Sequence, residues 1–231
     1  MDLNEKRIRV IVGHYGSGKT EFSVNYAIKL AEQGKKTALV DLDIANPYFR
    51  SRERQELLEK KGVLVYSNTF GFDITADLPA ITATIKAPLE DSSFATVVDA
   101  GGDNAGARIL IQFEKYFTKP DCDMFCVING NRPETKTIEG AYSHISRIQK
   151  ETGIKITGLI NNTHLLKETK VEDILKGYHL CLKLSEILYI PIKYNCCFNE
   201  LLEQLKDQTK KFKDFPIFTM NRYMRESWQD R

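Results

Sequence analysis

The chain has 231 residues and a formal net charge of +2, with 42% hydrophobic and 28% charged residues. This composition is typical of one globular domain with a substantial core, and the near-neutral charge gives no indication of a nucleic-acid partner. No apolar run approaches the ~18 residues of a membrane-spanning helix, so we expect no integral membrane segment. The five cysteines are an odd number and follow no signal peptide, which favours a reducing, cytoplasmic compartment over a disulfide framework.

Strand-like apolar runs alternate with helical patterns along the chain. The predicted strands are residues 8–12, 37–42, 63–67, 94–100, 124–129, 154–161 and 188–194. The predicted helices are residues 21–33, 52–60, 76–86, 105–117, 134–151, 171–187 and 199–206. Near-continuous apolar strands are typical of a sheet buried on both faces. We therefore predict an α/β fold with three layers, a mostly parallel sheet with helices on both faces, in a single domain over residues 1–231; residues 215–231 are expected to form a surface-packed segment such as a short helix.

The loop after the first predicted strand carries a specific motif. It reads Gly13-His14-Tyr15-Gly16-Ser17-Gly18-Lys19-Thr20 and matches the phosphate-binding pattern G-x-x-x-x-G-K-[ST]. Glycines allow several backbone N–H groups to point at one phosphate, and the following helix directs its positive end at the same anion. Lys19 is predicted to reach the β- and γ-phosphates, and the Thr20 hydroxyl to bind Mg²⁺. The predicted nucleotide-binding residues here are Gly13, His14, Gly16, Ser17, Gly18, Lys19, Thr20 and Glu21.

Acidic residues end two further predicted strands. Asp41 and Asp43 are two positions apart and so lie on one side of their strand. Two acids at the end of a strand, near a phosphate loop, suit Mg²⁺ ligation through water and the orientation of an attacking water, although Asp43 is also a common turn or helix-cap residue. Asp99 ends an apolar strand, which is the Walker-B arrangement for orienting the metal's ligands, and Gly102 is predicted to offer its N–H group to a γ-phosphate.

Asparagines follow the two late strands. The amide of Asn161 can both donate to and accept from a purine edge, so this residue is a candidate for base recognition. Asn129 ends the preceding strand in the same way. The alternative is that both asparagines are ordinary turn residues.

Taken together, these segments resemble the MinD/ParA/CobQ-like group of P-loop ATPases, the deviant-Walker-A class that includes nitrogenase iron protein and metal-insertion ATPases. The matching segments are residues 13–20, 40–43 with Asn46, 99–102, the 132–134 turn Arg-Pro-Glu, and Asn161. The resemblance extends from Ile8 to about Leu202. It implies a parallel sheet, Mg²⁺ and ATP as cofactors, slow ATP hydrolysis and often a homodimer with ATP between the subunits. It also implies catalytic roles for Lys19 and Asp43, metal-site roles for Thr20, Asp41 and Asp99, and adenine recognition by Asn161.

The chain departs from this family at one position. Its phosphate loop normally carries a signature lysine directly after the first glycine, and that position here is His14. The lysine normally crosses a dimer interface to the partner's phosphates, which a neutral imidazole cannot replace as a permanent cation. Arg50 or Arg52 is a candidate to supply the missing charge as an arginine finger; the alternative is that both are solvated or pair with nearby glutamates.

Three functions remain open from the sequence. The first is an ATPase that acts as a conformational switch on a client protein or a metallocentre. The second is a small-molecule kinase or ATP-dependent ligase of the dethiobiotin-synthetase or cobyrinate-amidase type, for which residues 70–86 are a possible lid. The third is a non-catalytic nucleotide-binding partner. The adjacent Cys196 and Cys197 lack the spacing of a zinc site and are predicted, like the other cysteines, to be buried free thiols.

Overall fold

The computed structural model describes residue 3 and residues 6–43, 54–67, 78–102 and 104–224, and only the backbone of residues 78–83, 104, 105, 107 and 108. The strands are β1 Ile8–Gly13, β2 Thr37–Leu42, β3 Val63–Ser67, β4 Ala95–Ala100, β5 Cys122–Ile128, β6 Gly158–Asn161, β7 Ile192–Phe198 and β8 Ile217–Met220. The α-helices are α1 Lys19–Glu32, α2 Gln55–Lys60, α3 Leu78–Glu90, α4 Asn104–Gln112, α5 Glu114–Phe117, α6 Ile138–Thr152, α7 Val171–Leu188 and α8 Leu202–Thr209.

The described strands form one parallel sheet in the order β3-β2-β4-β1-β5-β6-β7-β8. This confirms the predicted α/β fold class. Strand β1 lies between β4 and β5, with Ile11 beside Asp99 and Gly13 beside Val127. The chain leaves β1 toward β2 on one side and later returns to β5 on the other. The carboxyl end of β1 is therefore the switch point of the sheet, where α/β proteins bind ligands.

Both faces of the sheet are covered, because successive strand residues point to opposite sides. Val10 and Val12 belong to a buried cluster with residues of α3, α4, α6 and α7. Ile11 belongs to a second cluster with Phe22 and Tyr26 of α1. Every residue of β1, β2 and β5 is buried, which is why these strands are apolar apart from Arg9, Thr37, Asp41 and Asp123.

The largest difference from the predicted elements is at the C-terminus. Residues 217–220, where a short helix was expected, form the edge strand β8, which pairs in parallel with β7. The sequence alternates here, with Phe218 and Met220 buried and their neighbours half-buried, and this period of two is that of an edge strand. Residues 225–231 lie outside the described residues.

Two late strands also begin further along the chain than predicted. Strand β6 starts at Gly158 instead of residue 154, and β7 starts at Ile192 instead of residue 188. Helix α7 continues to Leu188 and ends at Tyr189 in a left-handed conformation, so the apolar run around residue 188 is helical. Length and hydrophobicity alone do not separate these alternatives for a short apolar run.

Candidate nucleotide-binding site

The phosphate loop connects β1 directly to α1. Gly16 and Gly18 have φ angles of +72° and +84°, and Gly18 is the residue that precedes the helix. A Cβ atom at Gly18 would lie 2.3 Å from the Nδ2 atom of Asn162. The loop therefore needs glycine here for two reasons, the left-handed backbone and the close approach of the β6 end. The first turn of α1 leaves its N–H groups at this position, as an anion site requires.

The end of β4 lies against this loop. A Cβ atom at Gly102 would lie 2.2 Å from the carbonyl oxygen of Gly13 and 3.0 Å from Nζ of Lys19. Lys19 and Thr20 are themselves buried. The structure thus brings together the loop lysine and the glycine that follows the Walker-B strand, which lie more than eighty positions apart in the sequence.

Three buried carboxylates stand beside the loop at the ends of β2 and β4. The N–H group of Asp43 donates to Oδ1 of Asp41 at 3.0 Å, and the Ser23 hydroxyl donates to Oδ1 of Asp99 at 3.2 Å. The pKa of Asp99 is raised to about 7, chiefly by burial and then by the charge of Asp41, while Lys19 partly offsets both. A cation at this position would relieve the repulsion between the carboxylates.

The donor set fits Mg²⁺. Oδ2 of Asp99 is buried and has no hydrogen bond to the described part of the protein. Within that part, no three His, Cys, Asp or Glu side chains are arranged to hold a metal by themselves. Mg²⁺ in nucleotide sites is bound through few protein oxygens, with water and substrate phosphates completing its shell. Thr20, Asp41 and Asp99 are the residues that would hold it or its water.

A cavity of about 290 Å³ opens beside the loop. Its loop side includes Gly16, Gly18, Lys19 and Thr20, and its far side Phe198, Met220, Arg222 and Met224. The far side combines an aromatic ring, two thioethers and a guanidinium group, which suits a planar heterocycle more than a phosphate.

Arg132 is a site residue to which the sequence pattern assigned no role. Its Nε–H donates to the carbonyl oxygen of Gly16 at 2.9 Å, and its guanidinium group lies over the loop at the edge of the cavity. A Cβ atom at Gly16 would be 2.7 Å from the guanidinium carbon and would displace the end of this side chain, while the φ angle of +72° favours glycine here. The Arg-Pro-Glu turn after β5 therefore places a cation next to the phosphate loop within the same chain.

The two asparagines after β6 have different environments. Asn161 is fully buried; its amide NH₂ donates to the Ile174 carbonyl and to Asn195, and its carbonyl accepts from the Thr163 N–H group. Adenine recognition by Asn161 would require these internal hydrogen bonds to break. Asn162 lines the cavity instead, with Nδ2 donating to the Ser17 carbonyl at 2.8 Å.

Glu21 lies at the cavity, but its side chain binds protein. Its Oε1 accepts from the N–H group of Tyr223 at 2.7 Å, and its Oε2 from that of Met224 at 3.2 Å. Burial raises the pKa of Glu21, while these two N–H groups, Asn25 and Arg222 lower it. The carboxylate therefore anchors the segment that follows β8, and a direct bond between this carboxylate and the nucleotide would compete with that anchor.

His14 contacts its own chain. Its ring packs edge-to-face against His144 of α6, with centroids 5.4 Å apart, and its Nδ1 is 3.8 Å from the carboxylate of Glu134. Arg147 donates to Nδ1 of His144 at 3.2 Å. The pKa of His144 is lowered to about 4, chiefly by burial and then by the charges of His14, Arg147 and Lys19. The position of the signature lysine thus contacts helix α6 in this structure.

Several residues singled out from the sequence lie outside this site or outside the described part of the chain. Arg50, Arg52 and Asn46 lie outside the described residues, as do residues 70–77 of the possible lid, whereas residues 78–86 belong to α3. Cys196 and Cys197 are buried free thiols on opposite faces of β7, in different core clusters, and burial raises the pKa of Cys197 to about 11. The described part of the chain contains no helix long and apolar enough to cross a bilayer.

The sequence model of the CobQ/CobB/MinD/ParA nucleotide binding domain matches residues 9–223. The chain therefore belongs to this family of nucleotide-binding P-loop proteins, as its motifs and sheet indicate. No curated protein matches the chain significantly.

Solved structures with the same fold include signal recognition particle proteins. The receptor FtsY from Elizabethkingia anophelis aligns with a TM-score of 0.53 and 19% identity, over 82% of this chain and 58% of that one. FtsY from Thermotoga maritima gives 0.53 and 23%, over 82% and 61%. The signal recognition particle 54 kDa protein from Aeropyrum pernix, in complex with GDP, gives 0.54 and 22%, over 84% and 42%. The chain thus spans less than two thirds of these proteins, and the likeness is one of fold.

Proposed function

We propose that this protein binds Mg-ATP, hydrolyses it and acts as a nucleotide-dependent switch on a client protein or a metallocentre. The supporting observation is the grouping of Lys19 and Thr20 with three buried carboxylates at the switch point of the sheet. A site that bound only the base and sugar would not need this arrangement. A metal-assisted phosphoryl transfer requires a lysine, a hydroxyl and carboxylates near the γ-phosphate.

The residues have distinct roles in this proposal. The loop N–H groups and Lys19 bind the β- and γ-phosphates, and Thr20, Asp41 and Asp99 hold Mg²⁺ or its water. When bound, Mg²⁺ neutralises charge that develops on the transferred phosphoryl group. Asp43 orients the attacking water, and the N–H group of Gly102 donates to the γ-phosphate, since Gly102 lies against Lys19.

Adenine is the base that we propose for the far side of the cavity. Of the described residues that line it, Glu21 is the only one with a carboxylate, and both its oxygens accept bonds from backbone N–H groups. A carboxylate is the acceptor best suited to the two neighbouring donors of guanine. Asn162, whose Nδ2 already donates to Ser17, directs an amide to this cavity and is our candidate for the adenine contact.

The switch role rests on two groups that we assign to the γ-phosphate. Asp43 directly follows β2, and Gly102 lies two residues after β4, against Lys19. A γ-phosphate makes contacts in the triphosphate state that are lost on hydrolysis. The segments 43–52 and 99–106, which carry these two groups, are therefore our candidates to transmit the nucleotide state to a partner.

The test is phosphate release from purified protein with Mg-ATP or Mg-GTP, with and without EDTA, and without any organic acceptor. We expect Mg²⁺-dependent release from ATP, with ATP displacing GTP in competition. Lys19→Ala should abolish nucleotide binding, Asp43→Ala should abolish turnover while binding persists, and Lys210→Ala on the exposed end of α8 is the matched control. Binding without phosphate release in the wild type would contradict the ATPase proposal and favour a kinase, a ligase or a non-catalytic role.

A further inference from the structure

Residues 221–224, which we term the C-terminal strap, follow β8 and cross the first turns of α1. Asn25 and Asn221 form a reciprocal pair: the Asn25 amide donates to the Asn221 carbonyl at 2.9 Å, and the Asn221 N–H donates back at 2.7 Å. Glu21 accepts the next two strap bonds, from Tyr223 and Met224. Two side chains of α1 thus satisfy four backbone groups of the strap.

The same strap forms the far wall of the cavity. Arg222 and Met224 line it beside Met220, the last residue of β8. The guanidinium carbon of Arg222 lies 4.3 Å from the ring centre of Phe198, and its Nη1 donates to Glu200 at 2.6 Å. A guanidinium held by a ring and a carboxylate is a fixed planar surface, on which a base can stack.

The anchor of the strap is covalently adjacent to the phosphate site. Glu21 directly follows Thr20, the hydroxyl assigned to the metal, and Asn25 lies one turn further along α1. The first turn of α1 therefore contacts the phosphates with its N-terminal groups and the strap with its side chains. A nucleotide that spans the cavity would touch both at once.

We infer that the C-terminal strap is the nucleoside-recognition element of this protein, with Arg222 and Met224 contacting the base side and Glu21 and Asn25 positioning them. This inference rests on the proposed nucleotide site and deepens it. Strap docking and nucleoside binding favour each other, because the nucleoside contacts residues that are in place only when the strap is docked. Linkage requires that this coupling be reciprocal.

Equilibrium binding of two ligands tests the inference. Mg-ATP carries a nucleoside, whereas Mg-tripolyphosphate carries the phosphates alone. We expect Arg222→Ala and Glu21→Gln each to raise the Kd for Mg-ATP by about tenfold or more, and that for tripolyphosphate by less than about twofold. Lys210→Ala, in an exposed ion pair on α8, is the matched control and should change neither.

The outcomes separate the two proposals. Wild-type protein that binds neither ligand would overturn the nucleotide site itself, and this inference with it. Wild-type protein that binds both, with Arg222→Ala weakening both equally or neither, would overturn the strap's role alone. Thermal unfolding of each variant shows whether a loss of binding is a loss of fold.

Amide hydrogen exchange provides a direct readout of the strap. The Tyr223 and Met224 N–H groups, which donate to Glu21, should exchange about tenfold more slowly with saturating Mg-ATP than without ligand, and tripolyphosphate should slow them less. Glu21→Gln should speed their exchange without ligand. Equal protection by the two ligands would contradict recognition of the nucleoside by the strap.

Discussion

Arg132 donates from Nε to the carbonyl oxygen of Gly16, at 2.9 Å, and holds its guanidinium group over the phosphate loop. The two residues are 116 positions apart. The contact supplies, within one chain, a cation beside a loop whose signature lysine position is occupied by His14.

Arg132→Ala should therefore lower kcat for ATP hydrolysis, on the order of 10- to 100-fold, since charge on the transferred phosphoryl loses a neighbouring cation. Arg132→Lys should restore part of the rate, because it keeps the charge and loses the fixed guanidinium geometry. Steady-state phosphate release measures both, with Lys183→Ala on the exposed face of α7 as the control. An unchanged kcat in Arg132→Ala would remove Arg132 from the reaction.

Gly18 and Gly34 form a matched pair for testing the loop. Their φ angles are +84° and +78°, but a Cβ atom would lie 2.3 Å from Asn162 at Gly18 and meets no atom within 4 Å at Gly34. Gly34→Ala should lower the free energy of unfolding by about 1 kcal/mol, because the left-handed backbone is strained with a Cβ atom. Gly18→Ala should lower it by roughly 1–3 kcal/mol more, because its Cβ atom would also contact Asn162. Chemical denaturation measures both, and equal losses would contradict the close approach of Asn162 to the loop.

Substitution of Asn161 should mainly affect stability, whereas substitution of Asn162 should mainly affect nucleotide binding. Asn161→Ala removes a fully buried amide with bonds to Ile174, Asn195 and Thr163, so we expect a loss of roughly 3 kcal/mol in the free energy of unfolding. Asn162→Ala should cost less stability and weaken Mg-ATP binding by about tenfold. Denaturation and ATP titration of both variants check this. The reverse pattern, with binding lost mainly in Asn161→Ala, would restore the original prediction that Asn161 recognises adenine.

His144 should make the protein sensitive to acid. Its pKa falls from 6.5 to about 4 in the folded protein, mainly by burial. Below pH 6.5 the unfolded chain takes up a proton that the folded chain does not, so stability is lost as the pH falls from 6.5 toward 4. At 1.36 kcal/mol per pKa unit the loss approaches about 3 kcal/mol. The raised pKa of Asp99 acts in the opposite direction over the same range, so the measure is the difference between the wild-type and His144→Gln stability curves from pH 8 to pH 4. Wild type should lose about 3 kcal/mol relative to His144→Gln over this range, and a constant difference between the two curves would contradict the role of His144.

The fold class and the phosphate loop were predictable because both depend on local patterns. Strands buried on both faces, such as β1, are mostly apolar, and the loop's glycines are needed for left-handed backbone that other residues adopt only with strain. The short strand β8 was missed because four alternating residues at an edge produce a weak signal. Strand β7 was misplaced because an apolar run at a helix end resembles the start of a strand.

Contacts between residues that are distant in the sequence could not be predicted from such local patterns. Glu21 directly follows the motif and was expected to bind the nucleotide, yet its carboxylate accepts bonds from Tyr223 and Met224, about 200 positions away. Whether Asn161 or Asn162 faces the cavity depends on the register of β6, and a shift of one residue exchanges their environments.

The sequence by itself determined that this chain is an α/β protein with a phosphate-binding loop, since backbone conformation and strand burial restrict residue types at each position. Only the tertiary structure decided what surrounds that loop. The parallel sheet brings the ends of β2, β4, β5, β6, β7 and β8 to one edge, so that Asp99, Arg132, Asn162 and the C-terminal strap meet around the loop. Such contacts depend on the relative placement of distant strands, which no local pattern encodes.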